Sequence, residues 1–159
     1  MEKLSQRLRG SLMKINKIAS NALLAALYIV LTLVNPIGWG ALQFRVSEML
    51  MVIPFFNRKY IYGATIGIII ANSFSPLGVI DVAVGALSCI IPYTLSRYIN
   101  NKYINACIYS AVAGVLVGLE LKIVFRLPFI ASAISVFIST LIITFIGVFI
   151  FKKYDKLLL

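Results

Sequence analysis

Three carboxylates and one guanidinium lie in stretches of the sequence that are otherwise apolar. The carboxylates are Glu48, Asp81 and Glu120, and Arg45 lies three residues before Glu48. A charge inside a membrane segment costs roughly 2.5–3.5 kcal/mol on insertion scales. Such groups persist when they face a protein interior or a wet cavity, so they indicate a functional site. Carboxylates accept hydrogen bonds from N–H donors, which suits them to bind a small ligand.

Neutral polar and aromatic residues accompany these charges. Gln43 and Ser47 flank Arg45, and Asn72 and Ser75 follow the next apolar run. Trp39 lies in the preceding loop, where its ring could stack on a flat ligand. The complete candidate binding set is Trp39, Gln43, Phe44, Arg45, Ser47, Glu48, Asn72, Ser75, Asp81 and Glu120.

The composition shows what must position these residues. The chain has 159 residues, of which 61% are hydrophobic, and its mean hydropathy is +0.99. Long apolar runs with few charges are typical of transmembrane helices. The sequence predicts a basic cytoplasmic lead-in over residues 1–13 and a single transmembrane domain over 14–156.

Six spans are predicted, which makes the chain an all-α membrane protein. The second is irregular because it contains Gly40, Arg45 and Glu48, and the fourth contains Pro92. The spans cover residues 18–34, 40–56, 60–74, 79–98, 104–125 and 128–151. The short second and third spans are the ones we expect to be broken or offset at the outer surface.

The basic residues orient these spans. Twelve of the 15 lysines and arginines precede span one, lie between spans two and three or four and five, or follow span six. Positive charges favour the cytoplasmic side, so both termini are predicted to be cytoplasmic. Arg45, Lys122 and Arg126 are left for the outer side.

With this topology the three intramembrane carboxylates fall at similar depth. Glu48 is near the outer start of span two, and Asp81 is close to the outer start of span four. Glu120 is about 16 residues along span five, roughly 24 Å from its inner end. The sequence therefore predicts a polar pocket that opens outward beneath the loops 35–41 and 73–79.

Each carboxylate also has a purely structural interpretation. Arg45 and Glu48 are three residues apart, so they could pair on one helix. Glu120 could pair with Lys122 or Arg126. Asp81 could cap the fourth helix after the turn Pro76-Leu77-Gly78.

Other function classes fit the sequence poorly. The net charge of +10 does not indicate nucleic-acid binding, because the basic residues lie between hydrophobic runs. The sequence has no histidine, and Cys89 and Cys107 lack metal-ligand spacing and are interpreted as core residues. A membrane enzyme using Asp81 and Glu120 would need a paired acidic motif or a nucleophile with a base, and neither is present.

The same residues carry a family resemblance. The segments Leu42-Gln43-Phe44-Arg45-Val46-Ser47-Glu48, Pro54-Phe55-Phe56 and Ala71-Asn72-Ser73-Phe74-Ser75-Pro76, followed by Ile80-Asp81-Val82 and Gly85, resemble the QueT family. Order and spacing agree over about residues 15–156. Members are substrate-binding (S) components of energy-coupling factor (ECF) transporters, multi-pass proteins of the bacterial cell membrane, assigned to queuosine precursors.

The resemblance implies partners as well as a fold. An S component captures its ligand at the outer face. It docks on a transmembrane T component that couples to two cytoplasmic ATPases, and it is thought to topple in the membrane to release the ligand inward. The family docks through a small-residue AxxxA pattern, which Ala22 and Ala26 match, although ordinary packing within the domain would also explain them. The chain has no G-x-x-x-x-G-K-[ST] motif, so we expect no cofactor in this chain and ATP use by the partner subunits.

The implied ligand is a 7-deazaguanine, either queuine or 7-aminomethyl-7-deazaguanine. Its guanine edge offers two N–H donors to a carboxylate, assigned to Glu48 or Glu120, and its amine suits a second carboxylate such as Asp81. Gln43, Asn72 and Ser75 would add neutral hydrogen bonds, with stacking by Trp39 or Phe44. Arg45 would touch the ligand or orient Glu48. The alternatives are an S component for another vitamin-like cation and a stand-alone ion-coupled transporter.

Overall fold

The computed structural model of the chain describes residues 2–35 and 44–154, with side chains from residue 14 onward. Regular structure in these residues is entirely helical, which confirms the all-α class. The elements are α1 (Glu2–Leu33), a 3-10 helix (Val46–Val52), α2 (Ile53–Phe56), a second 3-10 helix (Arg58–Tyr60), α3 (Ile61–Asn72), α4 (Val79–Leu95), α5 (Lys102–Phe125) and α6 (Phe129–Lys153).

Small residues let α1 and α3 approach each other closely. A Cβ atom added at Gly67 would lie 3.1 Å from the Cα atom of Ala25, and one added at Gly63 would collide with the backbone of Asn21. Asn21 itself accepts a hydrogen bond from the Gly63 amide, 2.6 Å away, and donates to the Lys59 carbonyl at 2.8 Å. Gly63 and Gly67 therefore allow the two helices to pack closely.

A second close pair is formed by α5 and α6. A Cβ atom added at Gly114 would lie 2.9 Å from the carbonyl oxygen of Ala133. One added at Gly118 would lie 2.8 Å from the Cβ atom of the same alanine. The chain turns between these helices at Arg126, which adopts the left-handed conformation with φ of 56°. Pro128 then precedes the first turn of α6.

The predicted irregularity of the second apolar segment is also confirmed. Arg45 has an extended backbone, and a 3-10 helix then continues into the four-residue helix α2, which has Pro54 in its first turn. The segment runs through the interior, where Met51 and Val52 are completely buried. The Tyr93 hydroxyl of α4 donates to the Met51 carbonyl at 2.9 Å, which fixes the segment against the bundle.

The helices differ in their ability to cross a bilayer. Three are long and apolar enough within the described residues: the Lys14–Leu33 part of α1, α5 and α6. The segments Val46–Phe56 and Val79–Leu95 are shorter apolar helices, and α3 has 12 residues. Each of the six predicted spans therefore contains a helix, but α4 ends at Leu95, three residues before the predicted end. In the other direction, α1 extends to Glu2 through the predicted lead-in.

Candidate functional site

Three polar side chains from three elements meet at one end of the bundle. Arg45 Nη1 donates to Asn72 Oδ1 at 3.0 Å, and Arg45 Nη2 lies 3.5 Å from Asp81 Oδ2. Asn72 Nδ2 donates to the carbonyl and to the Oδ1 of Asp81, at 2.9 and 3.1 Å. All three residues are buried. The amide orientation of Asn72 is thus fixed, because its nitrogen faces acceptors and its oxygen faces a donor.

The turn between α3 and α4 places Asn72 beside Asp81. Gly78 has φ of 65°, a conformation that favours glycine, and it is the N-cap residue of α4. The Ser75 hydroxyl accepts a hydrogen bond from the Leu77 amide at 3.1 Å. Asp81 then falls in the first turn of α4, where a carboxylate is also stabilised by the helix dipole.

Gly85 makes room for this cluster one turn further along α4. A Cβ atom at this position would collide with Asn72 Nδ2 and lie 3.2 Å from Ile68 Cγ1. A glycine is therefore needed for the amide of Asn72 to reach Asp81.

Glu48 is held by two tyrosines. Tyr28 of α1 donates to Oε1 at 3.0 Å, and Tyr109 of α5 donates to Oε2 through a short hydrogen bond. Both tyrosines are almost completely buried. Hydrogen bonds to a charged group are among the stronger ones in proteins, so Glu48 connects α1, the 3-10 helix and α5.

Glu120 has a different environment. It is 1% exposed, yet neither carboxylate oxygen has a hydrogen-bond partner in the described part of the chain. It interacts electrostatically with Asp81 and Arg45. A buried carboxylate without partners is costly and needs an explanation.

A cavity lies beside Arg45 and Asp81, and Glu120 is not among its described lining residues. Arg45, Glu48, Asn72 and Asp81 contribute to its wall, and the other polar residues on it are Ser88, Tyr109 and Thr140. Its water-accessible volume is about 30 Å³, which is room for one or two water molecules. Ligand pockets for small molecules are commonly 300–1,000 Å³, so a ligand requires this cavity to widen.

Other candidate residues lie elsewhere or outside the described chain. Ser47 is buried against α1, where its hydroxyl lies 2.8 Å from that of Thr32 and donates to it, because the Thr32 hydrogen is used on the Tyr28 carbonyl. Phe44 is 40% exposed, and its carbonyl accepts a hydrogen bond from Asn35. Trp39 and Gln43 lie outside the described residues, as does most of the predicted loop 35–41.

Two of the structural interpretations can now be judged. Asp81 is not the N-cap of α4, because Gly78 holds that position and the Asp81 carboxylate turns to Arg45 and Asn72. Glu120 is not bonded to Lys122 or Arg126. The i, i+3 pairing of Arg45 with Glu48 gives way to longer-range contacts, since Arg45 reaches α3 and α4 while Glu48 is bound by the tyrosines.

The sequence interpretation missed several residues of the cavity. They are Gly85, Ser88, Tyr109 and Thr140, none of which was a binding candidate. Some of them could have been found as residues three or four positions apart from Asp81 or Glu120, because such residues lie on the same helix face as the carboxylate. Residues 81, 85 and 88 share one face of α4, and residues 109, 113, 117 and 120 share one face of α5.

The proposed docking residues are on the surface. Ala22 and Ala26 are exposed on α1, whereas Ala25 between them packs against Gly67. The exposed face also carries the large apolar residues Leu23, Leu27 and Val30. Ala22 and Ala26 are therefore available to a partner helix and are not used for packing within the domain.

Comparison with known proteins places this site in a family. A family model described as "QueT transporter" matches residues 18–156. A curated protein of Lactococcus lactis subsp. cremoris (strain MG1363), named "Queuosine precursor transporter QueT", is 34% identical over 156 aligned residues, covering 87% of this chain and 92% of that protein. No solved structure gives a significant match. The resemblance seen in the sequence is confirmed, and so is its assignment to transport and not to catalysis: the chain is a multi-pass membrane protein that belongs to the QueT transporter family.

Proposed function

We propose that this chain binds a queuosine precursor, queuine or 7-aminomethyl-7-deazaguanine, in a widened form of the cavity beside Arg45, Asn72 and Asp81. The observation that carries this proposal is the buried carboxylate of Glu120, whose two oxygens have no hydrogen-bond partner in residues 14–35 and 44–154. The printed name of the Lactococcus lactis relative supports the ligand class.

The chemistry of a 7-deazaguanine matches this carboxylate. The guanine edge presents a ring N–H and an exocyclic amine side by side, so one carboxylate accepts both in a bidentate pair. Neither oxygen of Glu120 has a hydrogen-bond partner among the described residues, whereas each oxygen of Glu48 already accepts from a tyrosine. We therefore assign the guanine donors to Glu120, and Glu48 becomes a residue that shapes the inner wall.

The charge balance at the site favours a cationic ligand. Glu48, Asp81 and Glu120 surround a single guanidinium, that of Arg45. A ligand amine would offset the excess negative charge, while an anionic ligand would add to it. Asn72 and Ser75 can supply neutral hydrogen bonds after rearrangement, and Trp39, Gln43 and Phe44 are proposed to contribute from the loop side.

Widening can begin at the Arg45–Asp81 pair. The Nη2–Oδ2 distance of 3.5 Å exceeds the 2.7–2.9 Å of a strong charge-assisted hydrogen bond. A ring N–H group of the ligand that reaches Asp81 can replace this contact at low cost. Arg45 then keeps its hydrogen bond to Asn72 or donates to the carbonyl oxygen of the ligand.

The proposed topology has six spans, cytoplasmic termini and a cavity at the outer face. In this arrangement the ligand enters from outside, and the chain acts as the S component of an ECF importer. A T component and two cytoplasmic ATPases would supply the energy. The exposed small residues Ala22 and Ala26 support a docking face on α1, because small side chains let a partner helix approach closely.

Calorimetric titration of the purified, detergent-solubilised chain tests the binding proposal. The ligands are queuine, 7-aminomethyl-7-deazaguanine, guanine and thiamine. Tight binding of the deazaguanines, with weak binding of guanine and none of thiamine, is the expected result. Binding of thiamine instead would replace the ligand assignment, and uptake into vesicles by this chain alone would contradict the proposed dependence on partners.

A second experiment tests docking separately. In Ala22→Leu and Ala26→Leu the added side chains should weaken co-purification with a co-produced T component. Ligand affinity should stay within about twofold, because both residues are exposed and no described residue of α1 lines the cavity. Leu23→Ala is the matched control on the same face, since it removes bulk. Unchanged co-purification of the leucine variants would contradict docking through this surface.

A further inference from the structure

Ser88 differs from three fully buried hydroxyl residues on neighbouring helices. Thr32, Ser110 and Thr144 each donate to the carbonyl four residues earlier in their own helix, at 2.8–2.9 Å. Ser88 is 3% exposed, and its hydroxyl has no hydrogen-bond partner in the described residues. It lies on the wall of the cavity, so the hydroxyl is available to whatever enters.

The backbone at Ser88 lacks a donor as well. The carbonyl of a helical residue normally accepts from the amide four residues later, and that residue here is Pro92, inside α4. Proline has no amide hydrogen. In a membrane segment such a freed carbonyl has to be satisfied by a neighbouring group. Ser88 thus offers two acceptor oxygens, that of the hydroxyl and that of the backbone carbonyl. The carbonyl oxygen can only accept a hydrogen bond.

The surroundings of Ser88 favour a positively charged donor. Glu48 lies on the same cavity wall, and its carboxylate can still accept hydrogen bonds, because two tyrosine donors fill about half of its lone-pair sites. Tyr109 and Thr140 complete this inner part of the cavity with hydroxyl groups. An ammonium group has three donors and no acceptor, so it fits this set of oxygens.

Position along α4 agrees with a ligand that extends from the Asp81 end of the cavity to Ser88. Ser88 is seven residues beyond Asp81, about 10 Å deeper along the helix axis. A fused two-ring base with a one-carbon amine arm has a length of this order. The cavity of about 30 Å³ has room for the arm and not for the ring, so the ring needs the widening proposed above.

We propose that Ser88 binds the amino group on the ligand's side arm, and that this contact makes the site select amine-bearing 7-deazaguanines over those without an amine. The inference rests on the proposed function, because it takes the ligand to be a 7-deazaguanine. Nothing in the family match or in the relative's name assigns a role to this residue.

The test compares 7-aminomethyl-7-deazaguanine with 7-cyano-7-deazaguanine, which has the same ring and a nitrile that cannot donate. The wild-type chain should bind the aminomethyl ligand at least about tenfold more tightly, as expected for hydrogen bonds to a charged group. Ser88→Ala should lose most of that preference, with the affinity for the cyano ligand changed less than about threefold. Ser110→Ala is the matched control, since it removes a buried hydroxyl that is already bonded within α5.

Two outcomes would overturn the inference, and they differ from failure of the proposed function. Equal affinity of the wild-type chain for both ligands would show that the amine is not recognised. Equal loss of both ligands in Ser88→Ala, and in the size-conserving variant Ser88→Cys, would show a general structural role. If neither deazaguanine bound a folded wild-type sample, the proposed function itself would fall, and this inference with it.

Discussion

Glu48 and Glu120 are both buried glutamates of one membrane domain, and their environments are opposite. Glu48 accepts hydrogen bonds from Tyr28 and Tyr109 and connects three elements. Glu120, 1% exposed, has no hydrogen-bond partner among the described residues and lies near a second carboxylate, Asp81. Burial alone therefore does not identify a binding residue. A buried carboxylate that the protein satisfies serves the fold, and one that it leaves open is available to a ligand.

The largest expected effect that separates the two glutamates comes from Glu120→Gln. This change removes the charge and replaces one acceptor oxygen by a donor, so affinity for 7-aminomethyl-7-deazaguanine should fall at least about 100-fold. Thermal stability should stay the same or rise, because the variant removes an uncompensated buried charge. Calorimetric titration and a thermal unfolding scan of the same sample measure both quantities.

Glu48→Gln is the matched comparison for that experiment. It should lower the melting temperature, because an amide has a single acceptor oxygen for two tyrosine hydroxyls. If Glu120→Gln destabilised the chain and Glu48→Gln did not, the contrast between the two sites would be wrong.

The next effect concerns the tyrosines that hold Glu48. Tyr109→Phe and Tyr28→Phe each remove a hydroxyl bonded to a carboxylate, which typically costs about 1.5–3 kcal/mol in the free energy of unfolding. Ligand affinity should change less than stability does, since the tyrosine bonds act on the wall of the cavity and not on Glu120. Denaturant unfolding in detergent measures the loss. Tyr62→Phe, at an exposed position on α3, is the control and should have almost no effect.

The smallest effect tests how Asn72 is positioned. In Gly85→Ala the added methyl group collides with Asn72 Nδ2, so the amide must leave Asp81 and affinity should fall about tenfold. Gly63→Ala introduces a similar collision with Asn21, between α1 and α3 and away from the cavity. Both variants should lose stability, and an equal loss of affinity in Gly63→Ala would mean that general loosening of the bundle explains the result.

The candidate residues that the structure brings close to one another share one property. Arg45, Asp81 and Glu120 are charges in apolar stretches, where the cost of burial limits them to an interior or a wet cavity. The order of spans then put Asp81 and Glu120 at one end, and the structure brings them together with Arg45 and Asn72. Gly63 and Gly67 are four residues apart, a small-residue spacing that is typical of close helix packing. The structure has no room for a larger side chain at either position.

The sequence could not supply the partners of these charges. Tyrosine is common both in membrane interiors and at their interfaces, so the spacing of Tyr28 and Tyr109 did not show that they bind Glu48. Whether Arg45 pairs with Glu48 or with Asp81 depends on the extended backbone before the 3-10 helix, which no local pattern indicates. The role of Ser88 emerges only when its hydroxyl is seen to differ from those of Thr32 and Ser110.

The unequal helix lengths have a consequence for the surrounding lipid. At 1.5 Å per residue, α5 and α6 with 24 and 25 residues are about 36–38 Å long, while α3 with 12 residues is about 18 Å long. The hydrocarbon core of a bilayer is about 30 Å thick, which is shorter than α5 and α6 and longer than α3. In the proposed six-span topology the bilayer would have to thin beside α3 and could stay thick beside α5 and α6, so the protein would resemble a wedge in the membrane. Its tilt should then depend on acyl-chain length, and lipid thickness becomes a variable that acts on the molecule without touching the binding site.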